Sequence, residues 1–103
     1  MKINSIKPAE AKKRMAEDKS IVLVDVRGSD EYATGHIPGS VLIPLDIIDV
    51  AAATRLPDKN ATIFVYCRSG ARSDMAAKIL TNLGYANIYN MGGIMSWPFE
   101  VVR

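Results

Sequence analysis

Tyr66-Cys67-Arg68-Ser69-Gly70-Ala71-Arg72-Ser73 is the stretch of this sequence whose residue types and spacing fit covalent chemistry. It holds the chain's one cysteine, with arginines one and five residues further on and a glycine between them. On its own a lone cysteine is either a small buried hydrophobe or a nucleophile. The thiolate is the nucleophilic form, and cations or a helix N-terminus favour it. Arg68 and Arg72 supply two positive charges, and Gly70 allows the backbone to curl so that several N–H groups converge on an anion. These neighbours favour a nucleophile over a buried cysteine followed by a solvated basic loop. The expectation is a Cys67 thiol with a depressed pKa, held low by the helix dipole and the two guanidinium groups against an opposing effect of burial.

Two elements must position that loop. Thr62-Ile63-Phe64-Val65-Tyr66 is an apolar, β-rich run that reads as a buried strand. Ser73 to Leu83 reads as a helix, with Ala76, Ile79, Leu80 and Leu83 on one face and Gly84 as its stop. A strand followed by a loop and a helix places Cys67 at the carboxyl end of a strand, where open α/β sheets form their ligand crevices. The helix then points its N-terminus at the same place.

The rest of the chain supplies a scaffold of alternating strands and helices. Pro8 to Asp18 reads as a helix with Ala11 and Met15 inward, and residues 21–26 as a strand buried on both faces. Ser29 is expected to cap a short helix rich in acidic residues. Val41-Leu42-Ile43 reads as a short strand. Leu45 to Ala53 reads as a helix with Ile47, Ile48 and Val50 available for the core. Asn87-Ile88-Tyr89 reads as a short strand, and Gly92 to Trp97 as a turn and short helix stopped by Pro98. This alternation predicts an α/β domain with a mainly parallel sheet and helices on both faces, the strands at 22–26 and 62–66 being the most buried.

Composition narrows the function. The 103 residues are expected to form one domain, 49% hydrophobic and 23% charged. A formal net charge of +2 is too small to imply nucleic acid or a membrane surface as partner. No apolar run is long enough for a signal peptide or a bilayer span, so a soluble, cytoplasmic protein is expected. One cysteine excludes an intramolecular disulfide and fits a reducing compartment. One cysteine and one histidine cannot supply the usual zinc ligands, so no metal site and no cofactor are expected. His36, the single histidine, lies in a turn-rich segment far along the chain from Cys67. It reads as a structural turn residue, and a Cys–His pair of the protease type lacks support.

Four patches in this order resemble the single-domain rhodaneses over nearly the whole chain. They are Leu23-Val24-Asp25-Val26-Arg27 with Glu31-Tyr32, then Gly35-His36-Ile37-Pro38-Gly39-Ser40, then the Cys67 loop, then Gly92-Gly93-Ile94 with Trp97. The resemblance implies a rhodanese-like three-layer α/β sandwich and a sulfurtransferase. In that family a cysteine takes a sulfane sulfur from a small anionic donor such as thiosulfate, becomes a persulfide, and passes the outer sulfur to a thiophilic acceptor: cyanide, a thiol or a protein. It implies Cys67 as nucleophile. Backbone N–H groups from Arg68, Ser69, Gly70, Ala71, Arg72 and Ser73 would cradle the persulfide, with Arg68 and Arg72 holding the donor. Asp25, Arg27, Glu31 and His36 match motif positions but read as scaffold, Asp25 needing a partner such as Arg27 or a backbone N–H. Trp97 and Tyr32 read as packing.

Related readings differ from this one in a definable way. Cysteine phosphatases of the same fold have loops one residue longer. Here Arg72 follows Cys67 after four residues, a cradle suited to a single sulfur and short for a tetrahedral phosphate. A non-catalytic interaction or sensing module usually lacks the cysteine that this chain keeps. A persulfide carrier would share the Cys67 chemistry and differ only in its donor.

Overall fold

The computed structural model describes residues 3–103. In chain order the elements are β1 (Asn4–Ser5), α1 (Pro8–Glu17), β2 (Val22–Asp25), α2 (Ser29–Thr34), β3 (Val41–Leu42), a 3-10 turn (Leu45–Ile47), α3 (Ile48–Arg55), β4 (Thr62–Cys67), α4 (Ala71–Asn82), β5 (Asn87–Gly93) and a final 3-10 turn (Ile94–Ser96). The strands form one five-stranded sheet in the order β1-β5-β4-β2-β3, and every pairing is parallel. β4 is central with β2 beside it, so the two continuous apolar runs lie away from the edges. Such runs need cover on both faces, which a parallel sheet with crossover helices supplies.

The core divides accordingly. On one face Val24, Val26, Ile63, Val65 and Cys67 pack with Ile48, Ala52, Ala76, Ala77 and Leu80 of α3 and α4. On the other, Leu23, Phe64 and Tyr66 pack with Ala11 of α1, Ile37 and Met91. Alternation along β4 thus sends Phe64 and Tyr66 to the α1 face and Ile63, Val65 and Cys67 to the α4 face. The sulfur's side of the sheet is fixed by this register.

Several expected details differ. Ser29 is the first residue of α2, not its cap: Gly28 occupies the cap, and its N–H donates to Glu31 Oε1 at 3.0 Å. The helix expected from Leu45 to Ala53 begins as a 3-10 turn and becomes α-helical only at Ile48. That change of pitch rotates the stripe. Ile48 and Ala52, four residues apart, are buried, while Ile47 and Val50 face solvent, Val50 at 77% exposure. α4 begins at Ala71, two residues earlier than expected, and ends at Asn82, so Leu83 falls just past it and is about a third exposed at 37%. β5 runs to Gly93, well beyond Tyr89, and β1 is a strand the sequence reading missed. Both depend on pairing with neighbours that local pattern does not reveal.

Candidate functional site

Cys67 is the last residue of β4, and the chain turns directly into α4. Gly70 makes that turn at φ +108°, in the left-handed region that glycine tolerates. The turn bends the loop back over the sulfur: the Gly70 N–H donates to Cys67 Sγ at 3.0 Å. The thiol S–H reaches Ser73 Oγ at 3.6 Å. Both Cys67 and Ser73 are buried, whereas Arg68, Ser69 and Ala71 are exposed on the rim.

Burial pushes the Cys67 thiol up. The Ser73 hydroxyl and the backbone N–H groups of Ser73, Gly70 and Ser69 outweigh it and hold the pKa below the ordinary cysteine value. The direction is the one expected from the sequence, but the cause differs in part. Hydrogen bonds from the loop and the helix N-terminus to the sulfur do the work; of the two causes expected from the sequence, the helix N-terminus contributes and the arginines are not among the leading ones. Arg72 Nη1 and Nη2 donate to Glu31 Oε1 and Oε2 at 2.8 and 3.0 Å, so its charge is largely spent on that carboxylate. The Arg72 hydrogen bonds, the Gly28 N–H and the guanidinium charges draw the Glu31 carboxyl down to about 2. The same pairing raises Arg72. Arg68 makes no ion pair among the described residues and stands in solvent; its carbonyl accepts the Met95 N–H at 3.2 Å.

The matched positions outside the loop fall into place as anchors. Asp25, fully buried at the end of β2, accepts Arg27 Nε at 3.0 Å, Arg27 Nη2 at 2.8 Å and the Arg27 backbone N–H at 2.9 Å. Arg27 Nη2 also donates to the Gly35 carbonyl at 2.7 Å, tying β2 to the segment after α2. His36 stacks on Tyr32 with ring centroids 3.7 Å apart and its Nδ1 bonds the Tyr32 carbonyl at 2.9 Å. Its backbone exchanges two 2.8 Å hydrogen bonds with Val102. Tyr66, one residue before the sulfur, donates to Ser40 Oγ and accepts the Ile37 N–H, each at 3.1 Å, which pins the 36–40 turn to β4. Trp97 packs at the margin of the α1-side core.

A cavity of about 360 Å³ opens beside the loop, lined by Val26, Arg27, Gly28, Glu31, Pro44, Leu45, Asp46 and Arg72. It lies at the carboxyl ends of β2 and β3, the position at which such sheets take ligands. A recess of similar size under α1, lined in part by Met15, Ile21, Pro38 and Trp97, includes no residue of the Cys67 loop. Among the described residues no group of three or more His, Cys, Asp or Glu side chains is placed to hold a metal, and no helix is long and apolar enough to cross a membrane.

Two features of the site escaped sequence reading. Gly93 lies so close to the loop that a Cβ there would overlap the Arg68 carbonyl. Asn90 reaches from β5 into the loop, its Oδ1 2.6 Å from Ser73 Oγ and its Nδ2 3.3 Å from the Gly70 carbonyl. The signal was present in Asn90-Met91-Gly92: an Asn two residues before a glycine favours a side-chain bond to that glycine's N–H, which is seen at 2.8 Å.

Comparison with known proteins shows which family this fold belongs to. The rhodanese-like domain family matches residues 7–99, and the chain belongs to that family. It is 41% identical over 80 residues to thiosulfate sulfurtransferase PspE of Escherichia coli K12, covering 78% of this chain and 77% of that protein. It is 35% identical over 96 residues to a sulfurtransferase of Allochromatium vinosum, covering 92% and 88%. Among solved structures, a rhodanese with anions from E. coli superposes with a TM-score of 0.76 at 36% identity, over 81% of this chain and 98% of that one.

Proposed function

We propose that this chain moves a sulfane sulfur from thiosulfate or a related anionic donor to a thiophilic acceptor, through a persulfide on Cys67. It is a rhodanese-type transferase in which one rhodanese-like domain accounts for residues 1–103. The observation that carries the reading is the Cys67 sulfur seated beneath the Gly70 N–H at 3.0 Å, with further N–H groups of Ser69 and Ser73 favouring its anion.

The Cys67 thiolate attacks the outer sulfur of thiosulfate. A bond forms from Sγ to that sulfur as the sulfur–sulfur bond of thiosulfate breaks, and its electron pair leaves with sulfite. The loop N–H groups from Arg68 to Ser73 then face the terminal sulfur of the persulfide and stabilise its charge without reorganising. A cyanide or thiolate acceptor attacks that terminal sulfur and returns Cys67 as thiolate. Arg68, exposed and unpaired with any carboxylate among the described residues, attracts the anionic donor. Arg72 acts from the cavity wall while remaining tied to Glu31. The lone free cysteine fits work in the reducing cytoplasm.

The test is turnover with two substrate classes. Thiosulfate and cyanide should yield thiocyanate, and aryl phosphates should release no phosphate, because the loop is too short to wrap a tetrahedral anion. Phosphate release that disappears in Cys67→Ser would reverse that assignment.

A further inference from the structure

Ser73 faces more hydrogen-bond acceptors than it has protons. Its Oγ lies 2.6 Å from Asn90 Oδ1, 3.1 Å from the Gly70 carbonyl oxygen, 3.3 Å from the Gly92 carbonyl oxygen and 3.6 Å from Cys67 Sγ. A hydroxyl donates once and accepts through its lone pairs. The Asn90 amide has only one satisfactory orientation, because Oδ1 accepts the Gly92 N–H at 2.8 Å while Nδ2 donates to the Gly70 carbonyl at 3.3 Å. Oδ1 cannot donate, so the short 2.6 Å contact places the Ser73 proton on Asn90. The hydroxyl then turns a lone pair toward the sulfur, and the Cys67 S–H donates into it.

The fold puts Asn90 there by a specific device. β4 and β5 pair regularly as far as Val65 with Asn90, then skip a residue, so that Tyr66 pairs with Gly92 and Met91 is left over. Such a bulge re-aims side chains next to it. Here the Asn90 amide takes the Gly92 N–H and reaches across to the loop.

We propose that Asn90 is a positioning residue of this site: it holds the Ser73 hydroxyl proton away from the Cys67 sulfur and so resists the loss of the thiol proton. For the anionic sulfur to gain a hydrogen bond from Ser73, the hydroxyl must turn from Oδ1 to Sγ. Asn90 and the thiolate compete for the same proton. The backbone N–H groups around the sulfur take no part in that competition. Asn90 also steadies the loop through the Gly70 carbonyl at 3.3 Å, an effect that does not pass through Ser73 and that the double variant measures separately. The charged groups around the cradle are Arg68 and Arg72, Glu31 on α2, Asp46 on the cavity wall and the Asp25–Arg27 pair at the end of β2. Changing Asn90 alters none of their charges. The proposal rests on Cys67 being the reactive sulfur, and is independent of which donor it meets.

The test is the pH dependence of iodoacetamide alkylation in the wild type, Asn90→Ala, Ser73→Ala and the double variant, with thermal melts as the folding control. In Asn90→Ala the midpoint should fall by about half a pH unit or more, the scale of one exchanged hydrogen bond. In Ser73→Ala it should rise, because the thiolate loses its hydroxyl donor. The double variant should titrate with Ser73→Ala or slightly above it, since without the hydroxyl Asn90 can only steady the loop through the Gly70 carbonyl. A midpoint unmoved or raised in Asn90→Ala overturns the proposal, as does a fall of the same size without Ser73. Should Asn90→Ala not fold, Asn90→Ser, too short to hold the Ser73 proton, is read against the same outcomes. A folded, reduced wild type that fails to alkylate overturns the functional reading as well, whereas an unmoved midpoint overturns this proposal alone.

Discussion

Glu31 and Arg72 meet through two parallel hydrogen bonds of 2.8 and 3.0 Å, joining α2 to the first turn of α4 across the mouth of the site. The pair is half exposed, so its worth to stability is modest. Its worth to the site is positional, because it fixes a guanidinium on the cavity wall one residue before Ser73.

The pair makes stability depend on acid pH. The folded Glu31 carboxyl is drawn down from 4.5 to about 2, so its contribution is fully present above the unfolded value and is lost as pH falls from about 4.5 toward 2. Urea unfolding followed between those pH values should show a smaller loss in Glu31→Gln than in the wild type. Identical pH profiles would remove the pair from the stability balance.

The two loop arginines should separate kinetically. Arg68→Ala removes an exposed charge and should leave stability within about 0.5 kcal/mol of wild type. It should lower kcat/KM for thiosulfate by roughly two- to fivefold, mostly through KM. Arg72→Ala should lose at least as much activity and should also weaken the Glu31 acid dependence, leaving the part held by the Gly28 N–H and Arg27. Steady-state kinetics over a range of ionic strength checks both, and unchanged kinetics in both variants would take the arginines out of the mechanism.

Much of this was legible in the sequence, for reasons tied to particular residues. Apart from Asp25, the runs at 22–26 and 62–66 carry apolar or β-rich residues on both faces, so a central position in a parallel sheet followed. Cys67 between such a strand and an amphipathic helix could only lie at the sheet's carboxyl end. Ile47 and Val50 misled because a 3-10 turn shifted the helical phase, which local spacing cannot show. Ser29 looked like a cap because its residue type is right, but the chain had already turned at Gly28. Glu31 as partner of Arg72, and Asn90 as partner of Ser73, are separated from them by 41 and 17 residues. Only the closed sheet brings them together.

Asp25 and Arg27 form the buried counterpart of the rim pair, with side chains 0% and 6% exposed. Asp25→Ala would leave the guanidinium buried without its carboxylate, a change that costs about 3–5 kcal/mol. Denaturant unfolding should show that loss. A cost under about 1 kcal/mol would mean that Arg27 finds water instead.

Gly93 tests how tightly the loop is seated. A methyl group there overlaps the Arg68 carbonyl, and either the loop or β5 must shift. Gly93→Ala should destabilise by about 1–3 kcal/mol, as overpacked sites do. It should also raise the midpoint of Cys67 alkylation as the loop N–H groups move off the sulfur. Wild-type stability together with a wild-type midpoint would show that the contact yields freely.

The most direct measurement of the central claim is the intact mass of the protein after exposure to thiosulfate. The wild type should gain the mass of one sulfur atom, and cyanide or a small thiol should remove it. Prior alkylation with iodoacetate should block the gain, and Cys67→Ala should abolish it, since the chain has no other cysteine. A reduced, folded wild type that gains no sulfur from thiosulfate or a polysulfide would contradict persulfide transfer by Cys67.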